Sequence, residues 1–317
     1  MSRTAVVFPG QGAQYVGMGR DLYERFPEAR RAFEEASAAA GFDVARLCFE
    51  GPEERLQLTE FQQPALLAVG VACWRVLEAR GLEPAAAAGL SLGEYGALVV
   101  AGVLDLGEAA RVVRLRGRFM QEAVPPGEGA MAAILGLEAA AVEDLCRQVM
   151  AAGTGVVEPA NYNCPGQIVV AGHRAAVEAA VERARSAGAR RSVLLPVSAP
   201  FHCRLMQPAA QRLAEVLAQV PMRPARIPVV ANVTAEPVTD PERIRELLVQ
   251  QVHRPVRWEQ SVRRMQAEGI TRLVEMGPGK TLAGFARRID RSLEAVPAGT
   301  AEEILTLVAR LGGGLLA

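Results

Sequence analysis

The chain has 317 residues, half of them hydrophobic, with 35 basic and 35 acidic side chains. So apolar a chain offsets its conformational entropy and is not disordered, and zero formal net charge removes the electrostatic footprint of a nucleic-acid binder. No run approaches the roughly 18 apolar residues of a membrane span, and five scattered cysteines without a CxxC pair read as reduced thiols rather than disulfides or a zinc site.

Residues 4–8 (TAVVF) read as a short buried strand ended by Pro9-Gly10-Gln11-Gly12. A helix is expected over 21–39, where Leu22, Phe26 and Phe33 recur at helical spacing. A second, apolar helix over 63–79 opens with Gln63-Pro64, the proline placed in a first turn that tolerates it. A small-residue strand at 85–89 and a helix after Gly93 follow, and this alternation predicts an α/β fold with a mainly parallel sheet. Past the Pro125-Pro126-Gly127 break the pattern reads strand 130–135, helix 139–151, strand 155–161, strand 167–171, helix 175–187 and strand 191–197. That β-α-β-β-α-β order is the ferredoxin-like pattern. It reads as an insertion, because long helices and buried strands (227–232 and 272–276) return after it. The expected division is therefore a large α/β domain, 1–125 with 198–317, and a small subdomain, 126–197.

Gly89-Leu90-Ser91-Leu92-Gly93 is a G-x-S-x-G between a predicted strand and a predicted helix. Its glycines permit a cramped strand–turn–helix that lifts a serine hydroxyl to the sheet's carboxyl edge, with the Leu92 amide at the helix N-terminus able to stabilise an oxyanion. Of His173, His202 and His253, His202 is the candidate base, because it follows a predicted strand, where α/β sites form. The other two read as structural. The Gln11 loop is not a dinucleotide fingerprint, since Tyr15 stands where the last glycine is needed. It can instead present a backbone amide opposite the serine. Gly279-Lys280-Thr281 is likewise no P-loop, its first required glycine falling on Val274. On the helix after the serine helix, Arg111, Arg114 and Arg118 share one side, and Arg116 points about 160° from Arg114. An arginine turned inward needs an anionic partner, and a substrate carboxylate suits it.

These motifs together resemble malonyl-CoA:acyl carrier protein transacylases and, equally, the acyltransferase domains of polyketide synthases. The similar segments run in order along nearly the whole chain: FPGQGAQ at 8–14, QPALLA at 63–68, GLSLGEY at 89–95, RLRGRFMQ at 114–121, NYNCPGQ at 161–167, APFH at 199–202, QVHRPVRW at 251–258 and EMGPGK at 275–280. The resemblance implies a hydrolase-like α/β domain with an inserted ferredoxin-like subdomain. It implies Ser91 as nucleophile, His202 as base, and the Gln11 and Leu92 amides as oxyanion hole. Arg116 would hold a malonate carboxylate, and the Gln251 main-chain carbonyl would support His202. Gln63, Asn161 and Asn163 are implied as pocket residues. Phe201 matches the malonyl-selecting form, its ring crowding an α-methyl group. The family usually has histidine before the serine; Leu90 stands there and reads as pocket wall.

The implied substrates are malonyl-CoA and an acyl carrier protein of fatty-acid or polyketide synthesis, with no metal, bound cofactor, nucleic acid or membrane. Exposed Arg183, Arg185, Arg190 and Arg191 could dock an acidic carrier. A monomer is expected, and a cytoplasmic one, because Met1 to Thr4 run straight into an apolar strand without a secretory pattern. A serine esterase is the rival, but it would need a histidine near the C-terminus, and none follows His253. A patatin-like lipase would need an Asp-Gly pair, which the chain lacks.

Overall fold

A computed structural model describes residues 3–311, so the outermost residues of the expected large domain, 1–2 and 312–317, lie outside the described residues. In chain order the strands are β1 (Thr4–Phe8), β2 (Ala86–Gly89), β3 (Gly129–Leu135), β4 (Val157–Cys164), β5 (Gln167–His173), β6 (Arg191–Leu194), β7 (Val229–Val230), β8 (Pro237–Val238), β9 (Arg272–Glu275) and β10 (Glu294–Pro297).

β1 is buried along its whole length, as befits a strand in the middle of a sheet covered on both faces. It pairs in parallel with β2 on one side and β9 on the other, within a six-stranded sheet of order β10-β9-β1-β2-β7-β8. Only β8, at one edge, runs antiparallel to its neighbour. β2 is Ala-Ala-Ala-Gly, and its small side chains let the helix Gly93–Val100 lie close over β1 and β2. A Cβ on Gly93 would stand 2.1 Å from the Phe8 carbonyl oxygen, and one on Gly89 would stand 1.9 Å from the Gly93 carbonyl carbon.

The second sheet, of order β4-β5-β3-β6, pairs antiparallel throughout and comes entirely from residues 129–194. That order is what the split β-α-β pattern requires. The alternation of β3 divides its side chains between two environments. Ala130, Ala132 and Ile134 join Val142, Leu145 and Val177 of the helices Ala139–Ala151 and Arg174–Ser186 in a separate apolar cluster. Met131 and Ala133 point to the opposite face, where, with Val169 of β5, they wall a cleft toward the large sheet.

The strands expected over 155–161 and 191–197 run Val157–Cys164 and Arg191–Leu194, and three further expectations need correction. The helix expected over 21–39 is two helices, Arg20–Arg25 and Pro27–Ala40. Phe26 between them is extended (φ −127°, ψ 119°), because the ring of Pro27 crowds helical backbone in the residue before it. The helix expected from 63 begins at Thr59, which places Pro64 inside it rather than in its first turn. There the ring removes the amide that would have bonded the Glu60 carbonyl. The strand expected over 227–232 is only two residues long, because the chain reverses after Ala231, where the Ala235 amide donates to the Ala231 carbonyl (2.8 Å) and Ala235 takes φ 57°. Asn232 is thereby turned toward the serine. Among the described residues no helix is long and apolar enough to cross a membrane.

Candidate active site

Ser91 stands in the turn between β2 and the helix Gly93–Val100 with φ 54°, and His202 follows Phe201 with φ 61°. Among the described residues only Ala235 shares this left-handed backbone without being glycine. The conformation costs roughly 1–2 kcal/mol for each L-residue, and such strain persists where surrounding structure over-determines it. At Ser91 the restraint is visible. Its amide donates to Asn232 Oδ1 (2.6 Å), Asn232 Nδ2 donates to the Gly89 carbonyl (2.6 Å), and the Leu90 amide donates to the Phe8 carbonyl (3.0 Å).

Although 111 residues apart, Ser91 Oγ and His202 Nε2 lie 2.7 Å from each other. His202 Nδ1 lies 2.8 Å from the Gln251 main-chain carbonyl. A carbonyl only accepts, so Nδ1 carries the proton and Nε2 is left to accept from the serine hydroxyl. Burial, and then the positive charge of Arg116, pull the imidazole down to about 3, against the upward effect of the Gln251 carbonyl. At neutral pH His202 is therefore uncharged, as a proton acceptor must be.

Arg116 is fully buried. Its Nη2 donates to Ser91 Oγ (3.1 Å) and Gln251 Oε1 (2.8 Å), and Nη1 donates to Gln63 Oε1 (2.8 Å). Its Nε has no partner, and none of the groups it bonds is a carboxylate. Desolvation lowers its pKa, and the nearby Tyr95 and Glu94 oppose that effect. The neighbouring arginines differ: Arg111 and Arg118 are exposed, and Arg114 pairs with Glu60 (2.9 Å).

A cleft of about 520 Å³ opens in front of Ser91 and His202. Gln11, Leu90, Asn161, Asn163 and Phe201 all line it, so Leu90 is a wall residue. Arg116, Gln63, Gln251 and Leu92 do not line it; they form the layer behind the serine and histidine, and Gln63 reaches Arg116 rather than the open space. Gln11 is anchored by its side chain to Gln62 and, at 3.5 Å, to Thr59. Among the described residues neither the Gln11 nor the Leu92 amide donates to another protein group, which leaves both available to an oxyanion. His173 lies away from the cleft, accepting from the Val156 amide at 3.0 Å. Arg183, Arg185, Arg190 and Arg191 are all exposed; Arg183 donates to Gln148 and Arg185 pairs with Glu182.

Two residues of this site escaped the sequence analysis. Asn232 ends the apolar run 227–232, and Glu94 sits inside GLSLGEY. A polar residue closing a buried strand, and an acid one turn past the serine, were the available signals.

A strained serine at a strand-to-helix turn, a neutral histidine and a buried arginine together make a candidate nucleophilic site. The family described as acyl transferase domain matches residues 5–308. A malonyl CoA-acyl carrier protein transacylase of Escherichia coli K12 is 49% identical over 296 residues, covering 93% of this chain and 95% of the relative. The solved structure of a malonyl-CoA:acyl carrier protein transacylase from Xanthomonas oryzae superposes with TM-score 0.95 at 49% identity, covering 98% of each chain. A type II polyketide-synthase acyl carrier protein in complex with its malonyl-transacylase matches with TM-score 0.94 at 44% identity, covering 98% of this chain and 100% of that one. The chain belongs to the acyl transferase family.

Proposed function

We propose that the protein moves a malonyl group from malonyl-CoA to the phosphopantetheine thiol of an acyl carrier protein by way of a malonyl ester on Ser91. Ser91 Oγ attacks the thioester carbon as its proton passes to His202 Nε2, and the Gln11 and Leu92 amides take the oxyanion. Collapse breaks the C–S bond, and the CoA sulfur leaves with the proton from His202. The carrier thiol then gives its proton to His202 and attacks the ester, and Ser91 Oγ departs taking that proton back. The similarity to transacylases, one of them bound to its carrier, supports this reading.

The observation that carries the choice of acyl group is Arg116: a buried guanidinium 3.1 Å from the nucleophile, bonded to no carboxylate. A malonyl chain esterified to Ser91 would turn its free carboxylate onto Arg116, whose Nε has no partner and whose Nη2 donates to Ser91 Oγ in this structure. Phe201 would crowd an α-methyl substituent. Asn161 and Asn163 would face the pantetheine arm, whose amides match their carboxamides; Asn163 Oδ1 is buried without a partner. Residues 126–197 would act as a subdomain walling that channel, Arg190 and Arg191 would meet the acidic carrier, and a monomer in the cytoplasm would suffice. Five buried free cysteines suit that compartment. A carrier of polyketide synthesis is the second reading, favoured by the likeness to the complexed transacylase.

The test is Arg116→Ala assayed with malonyl-CoA and acetyl-CoA and a phosphopantetheinylated carrier. Wild type should load the carrier with malonyl in clear preference to acetyl. The variant should lose malonyl transfer by a factor of about 10² or more, the worth of a buried charged pair, and with it the preference for malonyl over acetyl. Unchanged malonyl selectivity would remove the carboxylate role.

A further inference from the structure

The serine–histidine pair has no acid at hydrogen-bond distance; what holds His202 Nδ1 is the main-chain carbonyl of Gln251. An acid nonetheless stands at the root of the arrangement. Glu94, in the first turn of the helix after Ser91, is 2% exposed. Its Oε2 accepts from Gln251 Nε2 (2.8 Å) and from the Asn232 main-chain amide (3.1 Å). At the other end of the same carboxamide, Gln251 Oε1 accepts from Arg116 Nη2 (2.8 Å). The Gln251 side chain therefore spans a buried cation and a buried anion, its oxygen toward the guanidinium and its amino group toward the carboxylate. The reverse orientation would set donor against donor at one end and acceptor against acceptor at the other, which low dielectric makes costly. Charge thus selects one amide orientation, and that orientation also lets Gln251 Nε2 donate to the Ser91 carbonyl (2.9 Å).

Asn232, which accepts from the Ser91 amide, is tied to the same carboxylate through its own backbone. The support of the histidine and the support of the serine meet at one oxygen atom. Proton transfer to His202 also places a second positive charge near Arg116, whose field already disfavours the imidazolium. We propose that Glu94 is a positioning residue for acyl transfer: through Gln251 and Asn232 it holds His202 and Ser91 in register, and its negative charge offsets Arg116 as the imidazolium forms. This rests on the assignment of Ser91 and His202 as nucleophile and base. Arg116 and Tyr95 are the other titratable groups that act on Glu94's surroundings, and burial keeps the Tyr95 phenol protonated. Burial also pushes Glu94 up to about 7, with Gln251, Asn232 and Arg116 pulling it back, so an assay at pH 8 holds it mainly ionised.

The charge and the shape of Glu94 are separable. Glu94→Gln keeps the size and, through its amide oxygen, an acceptor for both donors, but removes the charge. Glu94→Asp keeps the charge but shortens the reach. Single-turnover acylation of Ser91 by labelled malonyl-CoA at pH 8, with rates normalised to the sites that finally take label, reads the catalytic effect even in a partly folded preparation. Glu94→Gln should slow acylation about ten- to a hundredfold, the scale of a small misplacement of reacting groups, with the KM for malonyl-CoA unchanged or lower. Glu94→Asp should retain more activity than Glu94→Gln. If Gln matches wild type while Asp falls, or if KM rises with the acylation rate intact, Glu94 only fills space and the proposal is overturned. A wild-type protein that takes no label would sink the transferase reading instead, so the two failures are told apart.

Discussion

Ser91→Ala should take up no acid-stable label from malonyl-CoA, whereas His202→Ala should still label Ser91, about 10²–10⁴-fold more slowly than wild type. The two would differ because an alanine at 91 removes the atom proposed to take the acyl group, while an alanine at 202 removes only the proposed proton acceptor 2.7 Å away. In the His202 variant the Gln11 and Leu92 amides proposed to hold the oxyanion, and Arg116, would stay in place, so part of the rate should survive. Alanine keeps the Cβ of Ser91, and the Asn232 Oδ1 bond to the backbone amide needs no serine oxygen, so the Ser91→Ala fold should melt close to wild type. The measurement is label recovered per chain after acid quench, located by peptide mapping. Label retained at full stoichiometry in Ser91→Ala would place the nucleophile elsewhere in the chain.

The second large effect is on folding. Gly93→Ala should destabilise the chain by more than about 4 kcal/mol or prevent soluble expression, an exceptional value for one methyl group. The added Cβ would lie 2.1 Å from the Phe8 carbonyl oxygen and 2.7 Å from its carbon. Strand β1 has nowhere to withdraw, being bonded to β2 on one side and β9 on the other, and the same Phe8 carbonyl accepts the Leu90 amide. Any relief by lifting the helix would drag the Ser91 turn out of reach of Asn232. Gly284→Ala is the control. It lies inside the helix Thr281–Ile289 with nothing within 4 Å of its Cβ direction, and it should be neutral or stabilising by up to about 1 kcal/mol. Chemical denaturation of both variants checks the contrast; equal midpoints for Gly93→Ala and wild type would refute the close-packing account.

Elements whose signals are short-range were readable before any coordinates. The apolar residues 5–8 of β1, the helix Ala139–Ala151 and the succession of strands and helices over 129–194 follow from residue alternation and periodicity within a few positions. The G-x-S-x-G turn is of the same kind, since the glycines, the strain at Ser91 and the helix start all lie within five residues. Boundaries set by neighbours were misjudged. The start at Thr59 depends on an extended Leu58 rather than on Pro64, and β7 stops where the Ala235 amide turns back onto the Ala231 carbonyl.

The site itself divides along the same line. Residue chemistry along the chain sufficed to nominate a nucleophile, a base and an inward arginine, because each has a distinctive local setting. Their convergence came from the packed fold alone: Ser91 is 111 residues from His202 and 160 from Gln251, and such pairings depend on how sheets and helices close on one another. The placement of Arg116 and Gln63 behind the serine rather than in the cleft, and the meeting of Glu94, Asn232 and Gln251 in one buried network, are of that origin. Hydrogen bonds and charges act over a few ångströms in space, whatever their separation along the polymer, so a linear pattern shows which groups are available and packing decides which of them touch.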